Sequence, residues 1–362
     1  MPSLDPLSLI GLLFSRDRAR PATANHAPKK DTRMPTTTAT PPEPEKKTIF
    51  ARKIPARYLI IAAGFILFWP VAFYAVGILN GIYDAVDPTR FAEVDESVKA
   101  LVQNVNENTP APEKGAILAE VVIHQLEREM RSTFGWSAND ILPTRFLDNR
   151  ASRQKGVIFA TRMLIRFFST RCSKYGAMGA EHEALKDARE KRLVYAEDVW
   201  GFFHSSTESE YQKGIDLVRR YEKELAAGTA VFNLRSDDIY DLLTYITGRE
   251  FLDQPMGLLI QSGEDVSFSE EDDRIYYAQG AMLVVRDFLF ALVKCYPSIG
   301  QKGGEENLKE AFRAMDKICS FDPPFVVEGS HDSMLADHRG KMARYYITVI
   351  SRLNDVTQSV NR

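Results

Sequence analysis

The side chains equipped for chemistry are few and scattered. Beyond the first 57 residues the histidines are His124, His182, His204, His331 and His338. Glu181-His182-Glu183 sets an imidazole between two carboxylates, but inside a charged helical stretch, which reads as a solvated face. His331, beside Asp332, lies seven residues before His338 and so shares a helix face two turns away. Zinc sites rarely rely on that spacing, so no metal is expected. Carboxylates cluster twice, as Asp237, Asp238 and Asp241, and as Glu270, Glu271, Asp272 and Asp273. Paired carboxylates can perform acid–base chemistry on glycans. Each cluster, however, follows a serine suited to capping, Ser236 or Ser269, and acids in a helix's first turn stabilise its dipole; capping is the reading adopted. Trp200, Phe202 and Phe203 form the densest aromatic group, which makes either the corner of a core or one wall of an apolar groove for a lipid or peptide.

No recognised catalytic pattern is present: no phosphate-binding G-x-x-x-x-G-K-[ST], no G-x-S-x-G, no H-E-x-x-H and no D-x-D-x-D-G calcium loop. No catalytic residue and no cofactor is therefore assigned. Cys172, Cys295 and Cys319 are odd in number and lack metal-ligand spacing. They read as buried thiols behaving as small hydrophobes, with a Cys295–Cys319 bridge as the alternative in an oxidising compartment.

The elements that must position these groups are helical. Leu118, Val122, Leu126 and Met130 make an i, i+4 stripe across 116–130. A second helix is expected over 152–173, with Val157, Ile158, Leu164, Ile165 and Phe168 inward. Ser206–Gly228 has the clearest signals: cap chemistry at Ser206, a face of Tyr211, Ile215, Val218, Tyr221 and Leu225, and a terminating glycine. Shorter or later helices follow over 236–248 and 341–356, and a small hairpin is expected within 257–267.

Two apolar runs raise the question of a membrane. Tyr58–Tyr83 is 26 residues without a charge, where about 20 span a bilayer core; aromatics stand at both ends, as interfacial belts do. The 57 residues ahead of it exceed a signal peptide's n-region, so a retained transmembrane helix is expected. Lys46, Lys47, Arg52, Lys53 and Arg57 precede it and Asp84, Asp87, Glu93, Asp95 and Glu96 follow; the positive side stays in the cytoplasm. Gly77 and Gly81 form a G-x-x-x-G pair that would let two such helices approach as a homodimer. The second run, Ile275–Val293, carries Arg286 and Asp287 at its centre, each costing about 2.5–3.5 kcal/mol in a bilayer. It reads as a buried central helix, with Arg286 paired to a carboxylate from another helix.

Charge divides along the same boundary. Residues 1–57, rich in proline and polar filler, hold 11 Lys/Arg against 5 Asp/Glu, while the remainder holds 35 against 44. The arm cannot bury enough apolar surface to fold, apart from a short docking or membrane-surface element at Leu7–Phe14. The acidic balance of the rest excludes a nucleic-acid-binding main domain. The expected architecture is mostly α: a disordered basic cytoplasmic arm over 1–57, a single transmembrane helix over 58–83, and a large α-helical, bundle-like periplasmic domain over 84–362.

The stretch from Asn149-Arg150-Ala-Ser-Arg153-Gln through Ser205-Ser206-Thr-Glu-Ser-Glu-Tyr211, with this layout, resembles the DUF2333 family of uncharacterised bacterial inner-membrane proteins. The resemblance covers roughly 58–358 and implies a helical envelope domain, with no catalytic residues to carry over. The function expected is that of a membrane-anchored envelope scaffold or assembly factor binding another envelope protein. A peptidoglycan-directed hydrolase and a carrier of a lipid or apolar ligand are the alternatives.

Overall fold

The computed structural model describes residues 55, 57–58, 60–68, 71, 91–132, 135–138, 148–174, 179–201, 204–261, 268–301, 304–321 and 337–360. The chain divides at 54/55, and residues 1–54 lie outside the described set. The expected docking element at Leu7–Phe14 therefore lies outside it too.

The helices run α1 Glu96–Leu101, α2 Ala111–Arg131, α3 Asp148–Phe167, α4 Glu183–Asp187, α5 Thr207–Ala226, α6 Ser236–Thr247, α7 Asp253–Ile260, α8 Phe268–Cys295, α9 Ser298–Gln301, α10 Glu305–Cys319 and α11 His338–Val360. Both α3 and α4 continue into a π-helical turn, Phe168–Cys172 and Ala188–Arg192. No strand occurs among the described residues. The hairpin expected over 257–267 is not formed there: Gly257 to Ile260 belong to α7, because Pro255 and Leu259 bury one side of a short helix, and 262–267 lie outside the described set.

Local signals and packing agree elsewhere. Ser206 caps α5 by accepting from Ser209 N–H at 3.2 Å. Just past the helix, Gly228 adopts φ 72°, a left-handed C-terminal conformation that glycine takes without steric cost. The α2 stripe buries Leu118, Val122 and Leu126, and its other flank buries Val121 and Ile123.

The core is organised around α8. Its apolar residues point all ways because α2, α3, α7 and α10 pack around it, which is why no polar face was visible in Ile275–Val293. Arg286 and Asp287 are 1% and 0% exposed at its middle. The Tyr346 hydroxyl on α11 donates to the Ala278 carbonyl of α8. Gln279 caps the end of α10, donating to the carbonyls of Cys319 at 3.0 Å and Phe321 at 2.6 Å. All three cysteines are free and buried, so the Cys295–Cys319 bridge is absent.

Of the expected transmembrane helix over 58–83, residues 60–68 are described as helical, and 72–83 lie outside the described set. Among the described residues no helix is long and apolar enough to cross a membrane. Where it is described, the segment is widely exposed: Ile60, Ile61, Phe65, Ile66, Leu67, Phe68 and Val71 are each 62–70% exposed.

Candidate functional site

The polar face of α2 sets Glu120, His124, Glu127, Arg128 and Arg131 three or four residues apart, on one side of the helix. That face, with α1 on one edge and Arg219 of α5 on the other, borders an open cleft of about 740 Å³. Titratable groups line this cleft, and it is where the search for chemistry belongs.

At its α1 edge lies a serine–histidine contact. Ser97 Oγ is 2.6 Å from His124 Nε2. The same hydroxyl donates to Asp95 Oδ1 at 2.5 Å, and Ser97 N–H donates to that oxygen at 2.9 Å. Arg128 donates to the other Asp95 oxygen at 2.9 Å. Burial pushes the Asp95 carboxyl up, but the Ser97 hydrogen bonds and Arg128 outweigh it and hold it below its ordinary value. In an activated serine the hydroxyl gives its proton to the imidazole, whose other nitrogen is held by the carboxylate. Here the hydroxyl donates its hydrogen bond to the carboxylate, and His124 Nδ1 is buried without a hydrogen-bond partner. The wiring is that of an N-terminal cap on α1, with His124 Nε2–H donating to the cap.

Across the cleft, Arg219 clamps two carboxylates of α2. It reaches Glu120 at 2.9 Å and Glu127 at 2.5 Å, and Arg131 adds a contact to Glu127 at 2.7 Å. Burial pushes Glu127 up, yet these guanidiniums bring it below its ordinary value. Glu222, one turn along α5 from Arg219, has no such partner. Burial and the neighbouring Glu120 push its carboxyl up to about 8.

Behind the cleft, the chain entering the domain is gripped by arginines. Arg286 donates to the carbonyls of Phe91 and Glu93, both at 2.7 Å. The Phe91 ring lies between the guanidiniums of Arg128 and Arg153, 5.0 and 4.8 Å from its centroid. Arg286 also reaches Asp287 on its own helix and Asp316 on α10, each at 3.3 Å. Asp287 accepts from Gln125 of α2 at 2.5 Å. Burial pushes the Asp287 carboxyl above its ordinary value, opposed by Arg286 and Gln125.

The residues singled out in the sequence fall elsewhere. Gly77, Gly81, Phe202, Phe203 and His331 lie outside the described residues. Trp200 is 53% exposed in the loop ahead of α5. Asp237 and Asp238 lie in the first turn of α6, and Asp238 takes the Arg235 N–H at 2.9 Å, but the cap expected at Ser236 falls on Arg235, because Ser236 is already the first helical residue. Glu181-His182-Glu183 is not a simple solvated face: His182 meets Glu224 at 2.7 Å and lies against Tyr221 with the two rings tilted by 60°, because α5 folds over it. Among the described residues no three potential ligands gather to hold a metal. His124 and Ser97 were passed over in the sequence. The signal available was the spacing of His124 with Glu120, Glu127 and Arg128; what it lacked was any sign that α1 and α5 would close on that face.

A family model for uncharacterised proteins conserved in bacteria, DUF2333, matches residues 58–252. No curated protein and no solved structure matches the chain.

Proposed function

We propose that this chain, which belongs to the DUF2333 family of uncharacterised bacterial proteins, is an anchored docking module of the cell envelope. The apolar segment holds it in the inner membrane, the basic arm stays in the cytoplasm, and the periplasmic helical domain binds another envelope protein. The observation that carries this reading is the exposure of Ile60, Ile61, Phe65, Ile66, Leu67, Phe68 and Val71. Consecutive positions cover every face of a helix, so the segment is apolar and exposed all round. A helix of that kind belongs in hydrocarbon or inside a larger apolar assembly.

The grip of Arg286 on residues 91 and 93 supports the same reading. It fixes residues 91 and 93, which follow the apolar run in the chain, to the core of α8. The cleft along α2 then offers paired charges, Arg219 and Arg131 against Glu120 and Glu127, to a charged segment of a partner. Charge complementarity of this sort sets specificity and encounter rate more than raw affinity.

The alternatives draw less support. A glycan hydrolase needs two carboxyls about 5–9.5 Å apart, whereas Glu120 and Glu222 interact directly. A carrier of apolar ligands needs an apolar cavity, and the described clefts are lined by charged groups. The test is purification of the full chain from membranes in mild detergent. A stoichiometric envelope protein should accompany it, and a paired charge reversal, Glu120→Lys with Glu127→Lys, should release that protein while the chain stays in the membrane. A chain recovered alone would overturn the reading.

A further inference from the structure

Both π-helical turns of the described chain open onto one cleft. Residues Thr170 and Arg171 come from the turn that ends α3, and Arg189 from the turn that ends α4. The cleft, about 450 Å³, is completed by Arg166 and by Thr244 and Tyr245 of α6. It is separate from the α2 cleft and shares no lining residue with it. π-helical turns make up well under 1% of residues in proteins and occur frequently at functional sites. Two that converge on a single concavity therefore mark a place where backbone regularity has been given up to aim particular side chains.

Those side chains are cationic. Three guanidiniums line the cleft against one carboxylate, Asp241, although residues 58–362 as a whole are acidic. The existing partners hold them lightly. Arg166 meets Glu250 at 3.0 Å and Arg171 meets Asp241 at 3.5 Å, with all four side chains about half exposed or more; such pairs contribute little to stability. Arg189 is the fixed member. It is 20% exposed and tied to Glu181 and Glu190 through one terminal nitrogen, at 2.9 and 2.6 Å, while its Nε–H is buried without a hydrogen-bond partner. A buried guanidinium N–H that lacks an acceptor carries a desolvation cost.

We propose that this cleft, framed by the two π-helical turns, is a binding site for a phosphoryl group gripped by Arg166, Arg171 and Arg189. Guanidinium groups suit that ligand because their planar forks match phosphate oxygens in pairs. Thr244 lines the same cleft, whereas the Thr170 hydroxyl donates to the Arg166 carbonyl at 2.8 Å and offers only its lone pairs. The rings of Phe167 and Tyr245, 5.5 Å apart, line the cleft beside these cations. They give the organic part of a phosphate ester an apolar surface.

The experiment is calorimetric titration of the full chain, purified in detergent, with two phosphomonoesters: sn-glycerol 3-phosphate, and dihexanoyl phosphatidic acid below its micelle concentration. Dihexanoyl phosphatidylcholine at matched ionic strength is the control. Saturable binding of at least one phosphomonoester is expected, with none of phosphatidylcholine. The exposed variant Arg171→Gln should weaken that binding by roughly tenfold or more, and Arg313→Gln, exposed on α10 and lining neither cleft, should leave it unchanged. Binding of the glycerol ester identifies a soluble phosphate ester as the ligand class, and binding of phosphatidic acid alone identifies a lipid headgroup. Saturation by neither ester, or binding indifferent to Arg171→Gln in a chain of unchanged circular dichroism, overturns the proposal.

Discussion

Gly156 of α3 and Gly280 of α8 sit where the two helices cross with their backbones in contact. A methyl group added to Gly156 would overlap the Tyr277 carbonyl, and one added to Gly280 would overlap that of Arg153. The two glycines therefore let α3 and α8 approach backbone to backbone, and with that comes the placement of Arg150, Arg153 and Gln154 around the buried carboxylate of Glu129.

Alanine at either position should destabilise the domain. Alanine favours a helix over glycine by about 1 kcal/mol, but overlap with backbone that cannot move aside costs about 1–3 kcal/mol or more. Gly257 in α7 is the internal control, because a methyl group there meets nothing within 4 Å. Gly257→Ala should raise stability by about 0.5–1 kcal/mol. Chemical denaturation of the three variants, followed by circular dichroism, should give opposite signs; a neutral Gly156→Ala would show that the crossing can relax.

Arg286→Met should be among the most damaging single changes. It removes the donors to the Phe91 and Glu93 carbonyls and leaves Asp287 buried without its cation. Breaking a buried pair by removing one partner costs about 3–5 kcal/mol. Beyond lost stability, residues 91–95 should become accessible to protease before the rest of the domain opens. A variant that unfolds at the wild-type denaturant concentration would contradict the clamp.

Glu222 should make stability fall as pH rises. Its carboxyl is pushed from 4.5 up to about 8 in the folded chain by burial and by Glu120, with Glu127 adding and Arg219 opposing. The folded state thus keeps a proton that the unfolded chain releases. The contribution is full below the unfolded value of 4.5, declines as pH climbs to about 8, and is flat above that. Glu222→Gln keeps a donor towards Glu120 and cannot ionise, so it should flatten this slope and be more stable than the parent above that range. Melting temperatures across the interval would show it; parallel curves for parent and variant would rule out the shifted carboxyl.

Topology can be read directly. A reporter that fluoresces only in the cytoplasm should be bright when fused ahead of Thr48 and dark when fused after Arg362. The order of charges around Tyr58–Tyr83, basic before and acidic after, is what predicts this. Fluorescence from the C-terminal fusion would reverse the orientation.

The sequence by itself determined the helical class, the borders of α5 and the buried status of Ile275–Val293. Ser206 and Gly228 act on the residues next to them, and an i, i+4 stripe states its period within one helix. A charged pair amid an apolar run likewise implies burial among neighbours rather than lipid. Only the tertiary structure decided which residues became those neighbours. Arg286 finds Asp316 at a distance of 30 residues and the Phe91 carbonyl at 195, separations that no local pattern encodes. The two clefts arise in the same way. Glu120 and Glu127 read as an exposed acidic face until α5 brings Arg219 across them, and Arg171 reads as a surface cation until α4 brings Arg189 beside it. The π-helical turns left no mark in the sequence, because one extra residue per turn changes where side chains point without changing which residue types the helix favours.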